Sequence, residues 1–338
     1  MKINMNYELD PIYETMGLLY FTYNPNHWDR EALLEDCREI GLNETAFVSV
    51  YDKVRPLLEQ YASAFQERMV KSEIDLFFYQ EEQESKYYII NLTLFLVILN
   101  NRHWLESLEE IEDSMIYEAV AKELLEEVPK TTQELIQKLK MEEYTPQVCW
   151  KFLLILESPK SYMEQWLQTI KKNIPACEYA MEVVQDVISP LLTKFHQPSA
   201  ILASVESFIG DELQVRPSFI WPTAFNLLKE DLAYSGLFMG EVAKILDRKN
   251  NPESIAQAFK VFGDQSKLEI LQFLKEGPKY NLEIANQLGV TAATTSHHMN
   301  TLFTQGFVKL IKQGNKTYYS LEEERIPELI ADLNSILL

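Results

Sequence analysis

The sequence predicts a mainly α protein, with a long helical N-terminal domain followed by a C-terminal winged helix-turn-helix that carries a small β-hairpin wing. Three observations predict this. Of ten glycines, five are scattered over the first 250 residues and five fall between Gly263 and Gly314, so turns crowd into the C-terminal part. The first region is rich in Leu and Glu and is apolar at helical spacing. After Ser254 the helical segments become short, and two segments rich in Val, Ile, Thr and Tyr flank Gly314-Asn315, a pair that suits a hairpin turn.

The N-terminal elements follow from local signals. Asp10-Pro11 reads as an N-cap with proline at the first helical position, opening a helix over Ile12–Tyr23. Trp28–Ile40 reads as a second helix closed by Gly41. Further helices are expected over Val48–Lys71, Tyr88–Leu99, Trp104–Glu127, Thr131–Lys140, Gln147–Leu156, Tyr162–Lys171 and Ala176–Phe195. The apolar run Tyr87–Leu99 is shorter than the roughly 20 residues a membrane span needs and is interrupted by Asn91 and Thr93, so it reads as a buried helix. The periodicity weakens after Asp211. Gln214–Pro222, with two prolines, reads as extended chain, and Leu237-Phe238-Met239 as a second short strand. The polar, turn-rich Asp247–Pro252 reads as a boundary between domains 1–248 and 249–338.

Ser254 is expected to cap a helix over Ile255–Phe262, stopped by Gly263; the next, Ser266–Lys275, ends near Gly277-Pro278. Asn281 can cap Leu282–Leu288, which stops at Gly289, and Thr291 can cap a helix running to about Thr304, stopped by Gly306. Two short helices split by Gly289-Val290 have helix-turn-helix spacing. Strands over Phe307–Ile311 and Lys316–Leu321 then form the wing.

The second helix of this pair divides into two faces. Thr295, Met299 and Leu302 form the i, i+4, i+7 stripe that packs inward, with His298 at its edge. Ala293, His297, Asn300, Thr301 and Thr304 fall opposite, flanked by Thr294 and Ser296. This outer face has no acid. Its hydroxyl, imidazole and amide groups suit a DNA groove, and a helix N-terminus favours phosphate. The expected contact set is Thr291, Ala293, Thr294, Ser296, His297, Asn300 and Thr301 on the helix, with Lys309, Lys312, Asn315 and Lys316 on the wing.

The formal net charge of −20 argues against a phosphate-binding protein when taken over all 338 residues. Its distribution does not. Residues 254–321 hold seven lysines against four acids, a net +3, and Thr291–Tyr319 holds three lysines and no acid. Cys37, Cys149 and Cys177 are far apart and form no CxxC pair, so they read as free core thiols rather than disulfides or a zinc site. The N-terminal residues lack an apolar signal core, which places the chain in the cytoplasm, away from any membrane.

Several segments in order resemble the ArsR-type winged-helix regulators: Asp264-Gln265-Ser266-Lys267-Leu268-Glu269-Ile270-Leu271, Glu283-Ile284-Ala285-Asn286-Gln287-Leu288-Gly289-Val290, Thr294-Thr295-Ser296-His297-His298-Met299, Gly306-Phe307-Val308 and Lys316-Thr317-Tyr318-Tyr319-Ser320-Leu321. The resemblance covers about residues 254–335. It implies a homodimeric domain that binds double-stranded DNA, often a repressor released by an effector, with Ile255–Phe262 and Ile326–Leu337 building the dimer. The sequence departs from metal-sensing members. Tyr280-Asn281-Leu282 stands where they carry a Cys-x-Cys pair, and the last helix has no His. Asn300 replaces a basic residue often found on the outer face. No cofactor is expected and no metal site, since adjacent His297 and His298 point about 100° apart on a helix.

The N-terminal domain then reads as a sensor or dimerisation domain. Its aromatic residues, among them Tyr20, Phe21, Tyr23, Phe77, Phe78, Tyr79, Tyr87, Tyr88, Trp104, Trp150 and Trp166, either line a pocket for a small-molecule effector or form an ordinary helical core. Two other functions compete. An enzyme with an appended regulatory domain would need a catalytic motif, and the scattered His27, His103 and His196 and the acidic runs such as Glu81-Glu82-Glu84 supply none. A winged-helix protein-interaction module draws its support from the overall negative charge.

Overall fold

A computed structural model describes residues 2–25, 30, 44–79, 89–125, 128–141, 145–195, 208–246, 252–313 and 316–337. All but Arg30 of the helix expected over Trp28–Ile40, and most of the boundary at Asp247–Pro252, lie outside the described residues. By its internal contacts the chain forms two compact units, one of residues 9–27 and 57–190, the other of residues 1–8, 28–56 and 191–338.

The first unit is helical. Helix α1 (Pro11–Tyr23) begins where the sequence places it, because the Asp10 carboxylate accepts from the backbone N–H of Ile12 and Tyr13 and proline occupies the first turn. Asp10 also pairs with Arg102. Helix α2 (Glu44–Arg68), of which residues 57–68 belong to this unit, is followed by the short α3 (Asp75–Tyr79) and by α4 (Ile89–Asn100), which is apolar nearly all round and therefore buried. Then come α5 (Asp113–Leu124), α6 (Thr132–Met141), α7 (Pro146–Glu157), the long α8 (Pro159–Val183) and α9 (Gln185–Thr193), of which residues 185–190 belong to this unit. Tyr61, Phe65, Phe78, Tyr79, Phe152 and Trp166 fill the interior. The carboxylate of Asp75 is fully buried there and accepts from Tyr23 Oη at 2.8 Å, Ser72 N at 2.7 Å and Thr169 Oγ1 at 3.3 Å.

Two helical expectations change. Trp104–Glu127 is not one helix: a 3-10 turn over Arg102–Leu105 and an irregular stretch precede α5. Tyr162–Lys171 and Ala176–Phe195 are not separated at Pro175; α8 runs through that proline, and the break falls at Val184.

The second unit contains a sheet and the predicted C-terminal domain, each with its own apolar core. Strand β1 (Lys2–Met5) runs parallel to β2 (Glu212–Ser218), with Lys2 opposite Glu212. β2 runs parallel to β4 (Leu232–Gly236), and β4 pairs antiparallel with β3 (Phe225–Lys229). Leu213 and Val215 alternate inward along β2 and pack with Ala233 and Phe195. The extended reading of Gln214–Pro222 thus holds for its first half. The strand expected at Leu237–Met239 does not form: Leu237 and Phe238 follow β4, and Met239 opens helix α10 (Met239–Leu246).

The C-terminal domain has the order helix-turn-helix, hairpin, helix. Helices α11 (Pro252–Phe262), α12 (Gln265–Leu274), α13 (Asn281–Leu288) and α14 (Ala292–Thr304) precede β5 (Val308–Gln313), β6 (Lys316–Leu321) and α15 (Arg325–Leu337). Ser254 lies inside the first turn of α11 rather than ahead of it, because the helix starts at Pro252. Ala258, Ile270, Leu274, Ile284, Met299, Leu302 and Phe307 make one apolar cluster, closed by Leu329 of α15. Gly289 ends α13 at φ +67°, a left-handed conformation that costs a residue with a Cβ. Replacing Gly289 by Ala is expected to lower stability by about 1 kcal/mol and Gly289→Asn by less. Leu274→Ala should cost about 2–5 kcal/mol. Urea unfolding of the full chain measures all three, and equal stability of the three variants would contradict this packing.

Candidate nucleic-acid interface

Helix α13 enters from Tyr280, whose backbone N–H donates to the Glu283 carboxylate at 3.0 Å. Asn281 is not the cap expected from the sequence. It is the first helical residue, and its side-chain amide donates to Ser296 Oγ at 3.0 Å, tying α13 to α14. Thr291 does cap α14, its hydroxyl oxygen accepting from Thr294 N at 3.1 Å. The inner stripe forms as expected, with Thr295, Met299 and Leu302 all 0% exposed.

The outer face of α14 is narrower than the helical wheel suggests. Thr291, Thr294 and Asn300 are exposed, and His297 is half-buried. Ser296 is half-buried and its hydroxyl is engaged by Asn281. Thr301 does not belong to this face: it is buried, and its hydroxyl donates to the His297 carbonyl at 3.2 Å. The helix packs against α13 on one flank and against α12 and β5 on others, so the buried arc extends beyond the apolar stripe. The backbone at Ala293 lies in the first turn of α14, while its side chain is outside the described residues.

The wing is a two-stranded antiparallel ladder from Val308↔Leu321 to Gln313↔Lys316. It is pinned to the helix-turn-helix by two backbone hydrogen bonds between Lys279 and Tyr319, at 3.0 and 2.8 Å, and by edge-to-face packing of Tyr280 on Tyr318. Sequence reading missed this attachment, since a bridge between residues so far apart leaves no local pattern. Lys309 is half-exposed and pairs with Glu322 at 3.0 Å, so its charge is partly satisfied within the protein. The side chains of Lys312 and Lys316, and all of Asn315, lie outside the described residues. At the far end of α14, Arg325 is buried and donates from Nε to the Gln305 carbonyl at 3.1 Å, which joins α15 to the helix end.

Charges behind the helix are ordered too. Asp264 caps α12, accepting from Lys267 N at 3.2 Å and pairing with Lys267 Nζ at 2.6 Å. Burial pushes the Asp264 carboxyl up, but these hydrogen bonds and the lysine charge outweigh it and hold the group below its ordinary value. Burial, with Lys267 second, pushes His298 below its ordinary 6.5.

In the helical unit, Tyr20, Phe78, Tyr79, Trp104 and Trp166 are buried core residues, whereas Trp150 is exposed. Tyr87 and Tyr88 lie outside the described residues. A surface cleft of about 640 Å³ is lined instead by mostly polar residues, including Asp113, Ser114, Tyr117, Ser158 and Lys160. Cys177 is buried against Tyr61 Oη at 3.6 Å, and burial raises its thiol to about 12, which keeps it protonated and unreactive. Cys149 is half-buried and in no disulfide, and Cys37 lies outside the described residues. Among the described residues no helix is long and apolar enough to cross a membrane.

Known proteins match this same region. The family described as "Bacterial regulatory protein, arsR family" matches residues 264–309. A cadmium resistance transcriptional regulatory protein CadC homolog from Staphylococcus aureus is 35% identical over 83 residues, 24% of this chain and 69% of that protein. An uncharacterized HTH-type transcriptional regulator, MJ1325, from Methanocaldococcus jannaschii is 38% identical over 79 residues, 23% of this chain and 89% of that protein. An arsenical resistance operon repressor from Staphylococcus aureus is 31% identical over 84 residues, 25% of this chain and 81% of that protein. No solved structure matches. With the helix-turn-helix, the hairpin and these relatives in agreement, the chain belongs through its C-terminal quarter to the arsR family of bacterial regulatory proteins.

Proposed function

We propose that this protein is a dimeric, cytoplasmic transcriptional repressor that reads double-stranded DNA with α14 and the β5–β6 wing. The observation that carries this reading is the acid-free open arc of Thr294, His297 and Asn300 on α14, beside a hairpin that bears Lys309, Lys312 and Lys316. Asn300 offers an amide that pairs with adenine, and His297 and Thr294 offer groups for bases or phosphate. The DNA-binding domain is taken as 249–338, with 1–248 controlling it in response to a signal, including a small-molecule effector. Relatives named for cadmium and arsenical resistance suggest metals as signals. The region from Ser254 onward has no cysteine to ligate a soft metal, which favours a non-metal signal. The named relatives are regulators, and the chain is taken as a non-enzyme.

Two surfaces favour a twofold dimer. Phe259 on α11 and Ile326, Ile330 and Leu337 on α15 are exposed, and α11 and α15 pack together. A second copy covering them would set two wings on a pseudo-palindrome, with half-sites about 34 Å or a multiple apart.

Binding to a duplex chosen by selection from a random pool, followed by fluorescence anisotropy, tests the DNA reading. His297→Ala and Asn300→Ala are each expected to weaken specific binding by about 1–3 kcal/mol. Ser296→Ala should act mainly through stability, because its hydroxyl is held by Asn281. Joint replacement of Lys312 and Lys316 by Gln should lower the salt slope by about 0.9 per lost phosphate contact. Absence of binding to any duplex at low salt would overturn the reading and favour a protein-interaction module. For the dimer, sedimentation of Ile330→Asp should show a smaller species than the wild-type chain, and identical sedimentation would remove this face from the interface.

A further inference from the structure

His298 neighbours the open arc of α14 but is turned towards α12. Its ring is half-buried, and Nδ1 is enclosed with no hydrogen-bond partner among the described residues. The charged and titratable groups acting on it are Lys267 and Asp264, at the start of α12, and His297 on its own helix. Asp264 and Lys267 are already committed to each other by the 2.6 Å ion pair, and the Lys267 side chain is only 13% exposed. The carboxylate that could receive a proton from His298 is therefore engaged, and the lysine ammonium repels a second cation. A neutral imidazole fits this seat; an imidazolium would place a donor without an acceptor in an enclosed site.

We propose that His298 makes the seating of α14 on α12 sensitive to protons, so that acidification loosens the recognition helix and releases DNA. The proposal rests on α14 being the DNA-reading helix. The proton adds to the free electron pair of Nδ1, and the cost is relieved when α14 shifts and exposes the ring to water. Burial and Lys267, outweighing Asp264, favour the neutral ring in the fold. Its stabilising contribution is therefore complete above the unfolded value near 6.5 and is lost as pH falls through 6.5 towards the lower folded value.

The test uses the full chain at constant ionic strength. Ring signals of ¹³C-labelled histidine are followed by NMR without DNA, and affinity for the selected duplex is measured at pH 7.5 and 5.5 for wild type, His298→Gln and Lys267→Gln. The His298 ring is expected to titrate below 6.5 and to move up in Lys267→Gln. Wild-type affinity should fall on acidification, by at most about tenfold per pH unit. That fall should vanish in His298→Gln and shrink in Lys267→Gln. A His298 ring that titrates at or above 6.5, or a His298→Gln chain with the wild-type pH response, would overturn the switch. If no duplex binds at any pH, the DNA reading fails, and the ring titration alone still decides whether the seat is proton-sensitive.

Discussion

Burial of Thr295, Met299 and Leu302 decides what α14 offers to the outside. All three are removed from water as the helix packs on α12, α13 and β5. Fully burying a residue such as Leu or Met yields about 1.5–3 kcal/mol, so rotating the helix to hide the other side would forfeit several kcal/mol. The remaining arc is left exposed by that choice. Its chemistry of hydroxyl, imidazole and amide, without a carboxylate, is then a property of a fixed surface rather than of a sequence pattern.

The surroundings of α14 hold it in place with polar contacts as well as apolar ones. Thr291 caps its start, Asn281 ties Ser296 to α13, and Arg325 takes up the Gln305 carbonyl at its end. The Lys279–Tyr319 bridge does the same for the wing, so helix and hairpin share one frame. A groove reader needs this, because each good bidentate base contact discriminates by only about 1–3 kcal/mol and is lost if the helix tilts. The link from Gln305 through Arg325 to α15 gives the proposed dimer helix a direct mechanical hold on α14.

Legibility in the sequence differed by region for physical reasons. Gly289 and Gly306 adopt positive φ where helices stop, and Thr291 caps where a hydroxyl precedes a helical stripe, so local chemistry announces the helix-turn-helix. Strand β1 has no such signal, since its partner at Glu212–Val215 lies more than two hundred residues away. Pro175 suggests a break, but the neighbouring Asn173, Ala176 and Cys177 are buried, and tertiary packing keeps α8 continuous across it. Trp104–Glu127 shows the converse: no proline or glycine marks the irregular stretch before Asp113, so periodicity alone overruns it. At the site, a wheel locates the inner stripe but not its width. The wheel groups Thr301 with the outer residues, and only the packing of neighbouring elements reveals that it too is covered.

Photo-crosslinking of the full chain to a selected duplex carrying 5-iodouracil, with the attached residues mapped by mass spectrometry, reads out which side of α14 meets DNA. Adducts are expected on the open arc of α14 between Thr294 and Thr304 and on the hairpin between Lys309 and Thr317. Adducts confined to residues before Pro252, or to the buried side of α14, would rule out DNA reading by this helix.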